Sequence, residues 1–395
     1  MGASIGIVGG GQLAWMLAQA ARRDGVPLHV QTPNAQDPAV ELATSVVQAE
    51  VDDISATREL AQRCTAISFE NEWLDLDGLA PLQAEGVQFV PSLEALRPLL
   101  SKRSQRELLQ RLDLPSPRWM PLDQVVSTTE DPPTLPEGFS FPLMAKAASG
   151  GYDGKGTAVL RSPAELEALV QRVDPSTWIL EEFVRFEQEL ALVAARDQQG
   201  EVVCFPLVQT HQHQQVCEWV LAPAEASHGL QQAARNIAAS LLTSLNYVGV
   251  LSIEFFHGPG GLMVNELAPR THNSGHYTIE ACSLSQFDQQ LRVVVGDTAQ
   301  EPALVVPGAL MVNLLGLEGP DAGFTAQRQA LEALPNAHLH WYGKTGASLG
   351  RKLGHVTVLL QQADGAARRQ EAMQRLQEVR QIWPLPTVQN DPQPS

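Results

Sequence analysis

Residues 252–276 read SIEFFHGPGGLMVNELAPRTHNSGH and contain parts of two apolar strand patterns on either side of a glycine-rich turn. The first pattern covers 250–256 and the second covers 262–267, and both are rich in aromatic and aliphatic residues. The Gly-Pro-Gly-Gly segment at 258–261 between them strongly predicts a turn. The sequence therefore predicts a β-hairpin here, and the rest of the chain is interpreted around it.

Two glutamates share one face of this predicted hairpin. In a symmetric hairpin, Phe256 lies opposite Leu262. Glu254 then faces Val264, and Glu266 is its diagonal neighbour, roughly 7–8 Å away at the backbone. Carboxylates held this close repel each other, so either one binds a proton or a cation lies between them. Carboxylates beside a substrate phosphate are the usual way in which proteins hold Mg²⁺, and a solvated surface hairpin is the alternative.

Polar side chains continue within and beyond the second strand. Asn265 adds an oxygen ligand next to the paired glutamates. Arg270, His272 and Asn273 follow and can donate to a phosphate or another anion. The stretch therefore predicts a site that binds a metal ion and an anion together.

Length and charge exclude several classes of protein. A chain of 395 residues predicts two or three domains with a substantial core. The net charge of −17 and the pI near 5.0 disfavour binding along nucleic acid or an anionic membrane. The four cysteines include no CxxC pair, which disfavours a disulfide framework and a zinc ribbon. The first basic residue is Arg22 and no apolar run has membrane-spanning length, so a soluble cytoplasmic protein is expected.

The first hundred residues predict a doubly wound α/β domain. A strand at 4–8 leads into GGGQLA at 9–14, which fits the G-x-G-x-x-A fingerprint between a strand and a helix. The next strand, 27–32, ends without the acidic residue that would bind a ribose hydroxyl, which disfavours a nicotinamide dehydrogenase. The glycine loop either contacts a phosphate at the helix N-terminus or only makes a tight turn.

Glu70 and Glu72 end a further predicted strand, 66–72. Strand alternation puts both side chains on one face, and the ends of parallel strands are where ligands bind. A solvated strand end is nevertheless the simpler interpretation. Residues 86–90 are interpreted as the element that closes this domain.

A lysine and a glycine loop follow in the middle of the chain. Lys146 lies inside the apolar strand 143–147, where its ammonium group needs a partner. SGGYDGKG at 149–156 comes directly afterwards, and it is not a Walker A motif because Gly156 follows Lys155. A flexible loop that carries a cation suits a lid over phosphates, and a plain hairpin loop is the alternative.

The segment WILEEFV at 178–184 combines an apolar edge with acids, a common but unspecific way to bind an adenosine, and Glu189 opens the next strand. His211 and His213 share one face of a strand, where ordinary polar packing is favoured over a transition-metal site. A helix is expected over 281–295.

The C-terminal part contains a concentration of positive charge. Lys344, Arg351, Lys352 and His355 lie among glycines within 338–357. In an acidic protein this pattern indicates an anion pocket, with a solvated face as the alternative. An amphipathic helix is expected over residues 366–382, followed by a disordered tail.

With these pieces in place, the chain resembles the ATP-grasp superfamily and, within it, the N5-carboxyaminoimidazole ribonucleotide synthases. The likeness extends from GGGQL at 9–13 to RKLGHVT at 351–357. Its most specific segments are GGYDGKG at 150–156, EEFVRFEQE at 181–189 and NELAPRTHNSGH at 265–276.

The resemblance implies a fold and an activity. The fold would be α/β, with a pre-ATP-grasp domain at 1–100, an ATP-grasp domain at 101–300 and a small β-rich domain at 301–395, in a homodimer. The enzyme would be a ligase that uses ATP and bicarbonate to carboxylate 5-aminoimidazole ribonucleotide through carboxyphosphate. Another ATP-grasp ligase, such as a formate-dependent glycinamide ribonucleotide transformylase, would share the ATP-binding residues and differ in the acceptor pocket.

The resemblance also implies roles for individual residues. The residues that would bind ATP are Lys102, Lys146, Gly151, Gly154, Glu181, Glu182, Phe183, Val184, Glu189, Asn265 and Glu266. Those that would bind the ribonucleotide are Glu72, Tyr152, Asn273, Ser274, Lys344 and Arg351. The catalytic residues would be Asp153, Lys155, Arg270 and His272. Glu254 and Glu266 would carry Mg²⁺, or Mn²⁺ in its place.

Three segments depart from the family pattern. Ala14 and Trp15 stand where the family has a glycine and a basic residue. QTHQH at 209–213 replaces a segment that usually carries a histidine for ATP. The loop after Lys344 lacks one arginine of the family pattern, so the expected phosphate-binding site has one cation fewer.

Overall fold

Three β-sheets organise the molecule. The computed structural model describes residues 2–125, 135–150, 156–317, 323–344, 346 and 348–386. The predicted roles of Gly151, Tyr152, Asp153, Gly154 and Lys155 lie outside the described residues, as does the tail at 387–395. Within the described residues, no helix combines the length and the apolar character needed to cross a membrane.

The N-terminal region is a four-stranded parallel sheet in the order β3-β2-β1-β4. Its strands are β1 (Ile5–Val8), β2 (Leu28–Thr32), β3 (Ser45–Gln48) and β4 (Ala66–Phe69). Its helices are α1 (Gln12–Arg23), α2 (Ile54–Ala61), α3 (Leu76–Ala84) and α4 (Leu93–Leu96). Every residue of β1, β2 and β4 is buried, as expected for parallel strands that are covered on both faces. Residues 86–90 contribute only one parallel bridge, between Ile67 and Phe89, instead of a full strand.

A second four-stranded sheet, in the order β5-β8-β6-β7, forms a small lobe. Its strands are β5 (Trp119–Pro121), β6 (Leu143–Ala147), β7 (Thr157–Leu160) and β8 (Trp178–Glu182). The helices of this part are α5 (Lys102–Arg111) and α6 (Pro163–Val170). The predicted strand at 143–147 is found with the same bounds, and Glu181 and Glu182 are the last two residues of β8.

The third sheet has nine strands and continues from the middle of the chain into its C-terminal part, in the order β14-β13-β9-β11-β12-β15-β17-β16, with β10 paired to β9. Its strands are β9 (Gln188–Arg196), β10 (Val202–Cys204), β11 (Val208–His213), β12 (Val216–Ala222), β13 (Gly249–Gly258), β14 (Gly261–Ala268), β15 (Gly308–Leu315), β16 (Ala337–Trp341) and β17 (Lys352–Leu360). The helices around it are α7 (His228–Ser244), α8 (Thr278–Ala281), α9 (Gln286–Val294), α10 (Thr325–Glu332) and α11 (Gly365–Ile382). Trp219 of β12 lies opposite Val312 of β15, so backbone hydrogen bonds cross the boundary expected near residue 300.

One apolar core joins the N-terminal sheet to the nine-stranded sheet. It includes Phe69 of β4, Leu241 of α7 and Ile253 of β13, all of them buried. The carboxyl end of β4 is thereby held next to the segment that follows β14, where Arg270 and His272 lie.

The β13–β14 hairpin forms as expected, but the predicted register is wrong. Glu254 lies directly opposite Glu266, and Phe255 lies opposite Val264. Asn265 is the extra residue of a β-bulge between these pairs, and it shifts all later pairs by one residue. The two glutamates are therefore nearer to each other than a symmetric hairpin allows.

The helix predicted over 281–295 is interrupted. Helix α8 ends at Ala281, and Cys282 is extended and bridges to Leu304. Ser285 then starts α9 with a capping box, in which its hydroxyl accepts the Asp288 N–H and the Asp288 carboxylate accepts the Ser285 N–H. This cap makes 285 a helix start, which the apolar spacing alone does not indicate.

Candidate active site

A buried cluster of charges joins the small lobe to the nine-stranded sheet. The Glu181 carboxylate at the end of β8 is 1% exposed, with Lys146 Nζ at 2.7 Å and Arg106 Nε at 2.6 Å. Burial raises the pKa of Glu181, but the two cations outweigh it and lower that pKa to about 2. Burial lowers the pKa of Lys146, against the opposing effect of Glu181. The prediction that Lys146 needs a partner is confirmed by this pairing.

Helix α5 connects this cluster to the edge strand β14. Arg106 donates to the carbonyl oxygens of Val264 at 3.3 Å and Asn265 at 2.7 Å. Gln105 exchanges two hydrogen bonds with the backbone of Leu267. Lys146 also donates to Asn265 Oδ1 at 3.1 Å. Asn265 therefore lies between the lysine of the small lobe and the glutamates of the hairpin.

The paired glutamates Glu254 and Glu266 have one lysine close by. Lys102 Nζ, at the start of α5, lies 2.7 Å from Glu266 Oε1. Burial and then the negative charge of Glu266 raise the pKa of Glu254. Burial also acts to raise the pKa of Glu266, but the charge and hydrogen bond of Lys102 together with the charge of Lys146 lower it. The charge of Glu266 therefore disfavours a charge on Glu254, and a bound cation would relieve this repulsion.

This donor set fits Mg²⁺ bound together with a nucleotide. Magnesium in such enzymes uses one or two carboxylates and completes its shell with phosphate oxygens and water. No group of three or more His, Cys, Asp or Glu side chains in the described parts of the chain converges on a metal-binding point. A divalent ion here would thus use Glu254 and Glu266 and depend on the nucleotide for its other ligands.

His272 faces the glutamate pair. Its Nε2 lies 3.7 Å from Glu254 Oε1, and its Nδ1 accepts the N–H of Ser274 at 3.3 Å. Since Nδ1 is an acceptor, the ring proton is on Nε2 and points toward the carboxylate. The buried Ser274 hydroxyl lies 3.0 Å from His272 Nδ1 and 3.4 Å from the Ser252 hydroxyl. Ser274 thus orients the histidine.

Arg270 and Glu72 form a contact between the N-terminal and central regions. Arg270 Nε lies 3.0 Å from Glu72 Oε1, and both side chains are about one-fifth exposed, 23% and 22%. Arg270 also donates to the Thr271 carbonyl oxygen at 3.1 Å. The structure brings together two residues predicted to lie near the ribonucleotide although they are far apart in the sequence.

The glycine loop at the start of α1 binds a carboxylate of the protein itself. Glu70 accepts N–H groups from Gly11 at 2.6 Å, Leu13 at 3.0 Å and Ala14 at 3.3 Å. A Cβ on Gly9 would lie 2.6 Å from the Cβ of Glu70, so the glycines give this carboxylate room. The sequence left open whether this loop contacts a phosphate or only makes a tight turn. In the structure, the free N–H groups at the start of α1 donate to Glu70 instead.

The strand-end prediction for Glu70 and Glu72 is wrong in two respects. Strand β4 ends at Phe69, so strand alternation no longer applies to the two glutamates. Glu70 turns to the start of α1, whereas Glu72 turns to Arg270. Neither carboxylate is a merely solvated strand end.

Asn273 is held by a second asparagine. The side-chain amides of Asn273 and Asn313 exchange two hydrogen bonds, at 2.9 and 2.7 Å, and Asn313 also donates to the Cys217 carbonyl oxygen. The side chain of Asn273 is therefore fixed against β15 in this structure. A contact with the ribonucleotide stays a prediction for this residue.

The residues expected around the adenosine lie at the end of β8 and the start of β9. Arg118 donates to both Glu182 oxygens, from its backbone N–H and from Nε, each at 2.9 Å. Phe183 is 41% exposed and Val184 is half-buried. Burial raises the pKa of Glu189 to about 7. A contact with the adenosine stays a prediction for these residues.

The cationic segment of the C-terminal part lies at the N-terminal end of β17. Lys344 Nζ donates to the Lys352 carbonyl oxygen at 3.0 Å and lies 5.4 Å from the ring centroid of Tyr342. Arg351 donates to the Gly346 carbonyl oxygen at 3.0 Å. The charge of Lys352 opposes the raised pKa of Glu254, but burial and the charge of Glu266 outweigh it. A contact of Lys344 and Arg351 with the phosphate of the ribonucleotide stays a prediction.

The histidines of β11 lie in a polar environment. His211 stacks on Trp219 with ring centroids 5.2 Å apart, and its Nε2 lies 3.7 Å from Glu218 Oε2. Glu218 is also 3.0 Å from Arg380 Nε of α11. These contacts match the polar packing favoured from the sequence.

Sequence reasoning missed the contacts of three residues of this region. Arg106 follows Lys102 by one helical turn, and that spacing on a single helix was the signal that could have found it. The contact of Glu70 with the start of α1 was missed, although Glu70 directly follows β4 and neighbouring parallel strands end at the same edge. Gln286 bonds to both the N–H and the carbonyl oxygen of His272. No pattern in the sequence indicates this contact.

Comparison with known proteins gives the same picture along the chain. Family models match residues 2–98 as a ribonucleotide synthetase preATP-grasp domain, 107–287 as an ATP-grasp domain and 309–369 as a phosphoribosylaminoimidazole carboxylase C-terminal domain. The N5-carboxyaminoimidazole ribonucleotide synthase of Synechococcus elongatus is 50% identical over 388 residues, which are 98% of this chain and 97% of that protein.

Solved structures agree with this relationship. The N5-carboxyaminoimidazole synthetase of Staphylococcus aureus with ADP has a TM-score of 0.84 at 29% identity, covering 96% of this chain and 97% of the other. The Aspergillus clavatus synthase in complex with ADP and 5-aminoimidazole ribonucleotide has a TM-score of 0.84 at 28% identity, covering 96% and 99%. The predicted fold, an ATP-grasp domain with a pre-ATP-grasp domain before it and a further domain after it, is thereby confirmed. The chain belongs to the N5-carboxyaminoimidazole ribonucleotide synthase family of ATP-grasp ligases.

Proposed function

We propose that this chain uses ATP and bicarbonate to carboxylate the exocyclic amine of 5-aminoimidazole ribonucleotide in purine biosynthesis. The observation that carries the proposal is the arrangement of charge around one pair of glutamates. Lys102 contacts Glu266 and Lys146 contacts the neighbouring Asn265, and Lys344 lies in the separate cationic segment of the C-terminal part. Such an arrangement suits one triphosphate and one separate phosphate.

The reaction has three steps. A bicarbonate oxygen attacks the γ-phosphorus of ATP, the bond to the β,γ-bridging oxygen breaks, and ADP leaves with carboxyphosphate as the other product. Carboxyphosphate splits into CO₂ and inorganic phosphate. The exocyclic amine of the ribonucleotide then attacks CO₂ and loses one proton, which gives the N5-carboxylate.

The side chains act mainly by position and charge. Lys102 and Lys146 would neutralise the phosphoryl oxygens, and Glu181 keeps Lys146 charged in its buried setting. Bound at Glu254 and Glu266, Mg²⁺ would neutralise charge on the transferring phosphoryl group. His272, with its proton on Nε2, would orient the acceptor beside the same carboxylates.

The ribonucleotide would lie between the N-terminal and C-terminal regions. Arg270, held by Glu72, would contact its ring or ribose, and Lys344 with Arg351 would bind its phosphate. We also propose a cytoplasmic homodimer. The match of the C-terminal part to a carboxylase family model supports a carboxylase over the formate-dependent alternative.

The deciding experiment compares acceptors with and without bicarbonate. The purified chain is incubated with MgATP and either 5-aminoimidazole ribonucleotide or glycinamide ribonucleotide plus formate, and ADP and product are measured. We expect ADP and acid-labile ¹⁴C-carboxylate in equal amounts only with aminoimidazole ribonucleotide and bicarbonate. Formylated product, or turnover that does not depend on bicarbonate, would assign the chain to another ligase reaction.

The phosphate site has its own test. Lys344→Ala or Arg351→Ala removes one charge-assisted contact, so we expect the KM for the ribonucleotide to rise roughly ten- to a hundredfold. The KM for ATP should stay within about twofold. Arg111→Ala, an exposed cation at the end of α5, is the matched control. A rise in the KM for ATP instead would assign these cations to the nucleotide.

A further inference from the structure

Three histidine rings, of which His276 and His355 are buried and His340 is partly exposed, lie between the segment after β14 and the C-terminal strands. His276 follows the turn at 273–275, and His340 of β16 lies opposite His355 of β17. The ring centroid of His355 is 4.5 Å from that of His340 and 4.9 Å from that of His276. We call His276, His340 and His355 the histidine stack. The proposed reaction assigns no role to any of the three rings.

One end of the histidine stack reaches the backbone of His272. Gln286 Nε2 lies 3.1 Å from His276 Nδ1 and donates to the His272 carbonyl oxygen at 2.7 Å. Gln286 Oε1 accepts the His272 N–H at 2.9 Å. A Cβ on Gly275 would lie 2.5 Å from that same oxygen, so the glycine lets Gln286 pass. One amide thus holds His272 at both backbone groups and also contacts His276.

The middle ring of the histidine stack, His355, is connected to Lys344 through Tyr342. The Tyr342 hydroxyl lies 2.8 Å from His355 Nδ1, and the Tyr342 N–H donates to the Leu353 carbonyl oxygen at 3.0 Å. Lys344 Nζ lies 5.4 Å from the Tyr342 ring centroid. Tyr342 is therefore fixed by β17 on its backbone side and by His355 at its hydroxyl, and Lys344 lies against its ring.

Packing alone does not account for the polarity of His355. The residue is 0% exposed, and its Nε2 has no hydrogen-bond partner among the described residues. A buried polar atom without a partner is unfavourable, so an apolar side chain of similar size would pack there at lower cost. The polar contact that His355 does make is the one with Tyr342 through Nδ1.

We propose that His355 is a positioning residue for the ribonucleotide. Through Tyr342 it fixes the segment that carries Lys344, and through His276 and Gln286 it ties that segment to His272. A ligand that contacts Lys344 at its phosphate and His272 near its ring needs a constant distance between the two. The inference rests on the proposed function, because its kinetic readout is the KM for the ribonucleotide.

The test uses variants that remove the hydrogen bond between His355 and Tyr342 while keeping most of the side-chain volume. His355→Leu keeps most of the volume and loses Nδ1, and Tyr342→Phe loses the hydroxyl. We expect each to raise the KM for the ribonucleotide about three- to tenfold, with kcat and the KM for ATP within about twofold. The double variant should be no worse than either single variant, because both remove one contact.

His355→Asn is the rescue variant, and His338→Ala is the control. The Asn amide lies where Nδ1 was and can still meet the Tyr342 hydroxyl, so the KM should return to within about twofold of the wild type. His338 is an exposed neighbour of His340 on β16, and its removal should change nothing. An unchanged KM in His355→Leu, an equal rise in both KM values, or failure of His355→Asn to rescue would each overturn the positioning role.

Hydrogen–deuterium exchange supplies a readout that needs no substrate. The amides of residues 342–344 should exchange about three- to tenfold faster in His355→Leu, with α7 unaffected and with recovery in His355→Asn. A wild type that fails to carboxylate would refute the proposed function. Unchanged exchange at 342–344 would refute the positioning role, whichever reaction the wild type performs.

Discussion

The molecule contains two pairs of glutamates with different neighbours. After β4, Glu70 accepts three backbone N–H groups and Glu72 pairs with an arginine. Across β13 and β14, Glu254 and Glu266 lie opposite each other, and Lys102 contacts Glu266. The first pair joins two regions of the fold, whereas in the second pair the charge of one glutamate disfavours the charge of the other.

This difference separates a structural carboxylate from a ligand-binding one. Glu70 already accepts three backbone N–H groups, so a side chain of the protein occupies the loop that matches a nucleotide-binding fingerprint. Like charges held together on a hairpin favour a bound cation instead. The neighbours of a carboxylate therefore indicate its role better than the motif in which it lies.

The largest expected effect is the loss of activity in Glu254→Gln. Removing one of two metal-binding carboxylates should lower kcat at least about a hundredfold, because several kcal/mol of charge stabilisation are lost. The free energy of unfolding should not fall, since the neutral amide no longer repels Glu266. Steady-state ADP formation and urea unfolding measure the two quantities, and Glu167→Gln, at an exposed position of α6, is the matched control. Near-normal turnover of Glu254→Gln at saturating Mg²⁺ would remove the basis for the metal site.

The opposite pattern is expected for Glu70→Ala. Three N–H groups at the start of α1 lose a charged acceptor, so the free energy of unfolding should fall by about 2 kcal/mol. The kcat of the folded protein should change less than about threefold, since Glu70 lies outside the proposed chemistry. If Glu70→Ala stopped turnover without loss of stability, the glycine loop would have to contact a substrate.

The smallest effect concerns Glu189, whose pKa is raised to about 7 by burial. The folded state then binds a proton that the unfolded state releases near pH 4.5, so this residue lowers stability as pH rises from about 4.5 to 7. Glu189→Gln should therefore raise the melting temperature by a few degrees at pH 8 and leave it nearly unchanged at pH 4.5. A constant difference at both pH values would show that Glu189 is already ionised in the folded protein at low pH.

Local features of the fold were predictable from the sequence. Strand β6 has its predicted bounds, because an apolar run between a proline and a glycine loop leaves one interpretation. The hairpin was also predicted, because two apolar strand patterns flank a glycine-rich turn. Its register was not predicted, since the bulge at Asn265 depends on contacts from α5 and β6.

The site was predictable where one segment carries it and not where distant segments meet. Glu254 and Glu266 share a hairpin, so their pairing follows from local geometry. Arg106 was missed because a charged residue on an amphipathic helix is normally expected to face water. Its burial depends on Glu181, which lies on β8 and is 75 residues away in the sequence.

The continuous nine-stranded sheet limits how the chain can be divided. If the protein were cut between β14 and β15, β12 would keep β11 but lose β15 as a partner. One side of Val216–Ala222 would then become an open sheet edge. Exposed edges of this kind pair with other chains and aggregate. The C-terminal part is therefore poorly suited to expression or exchange as a separate module, and chimeras with other ligases should join within the loops of the small lobe instead.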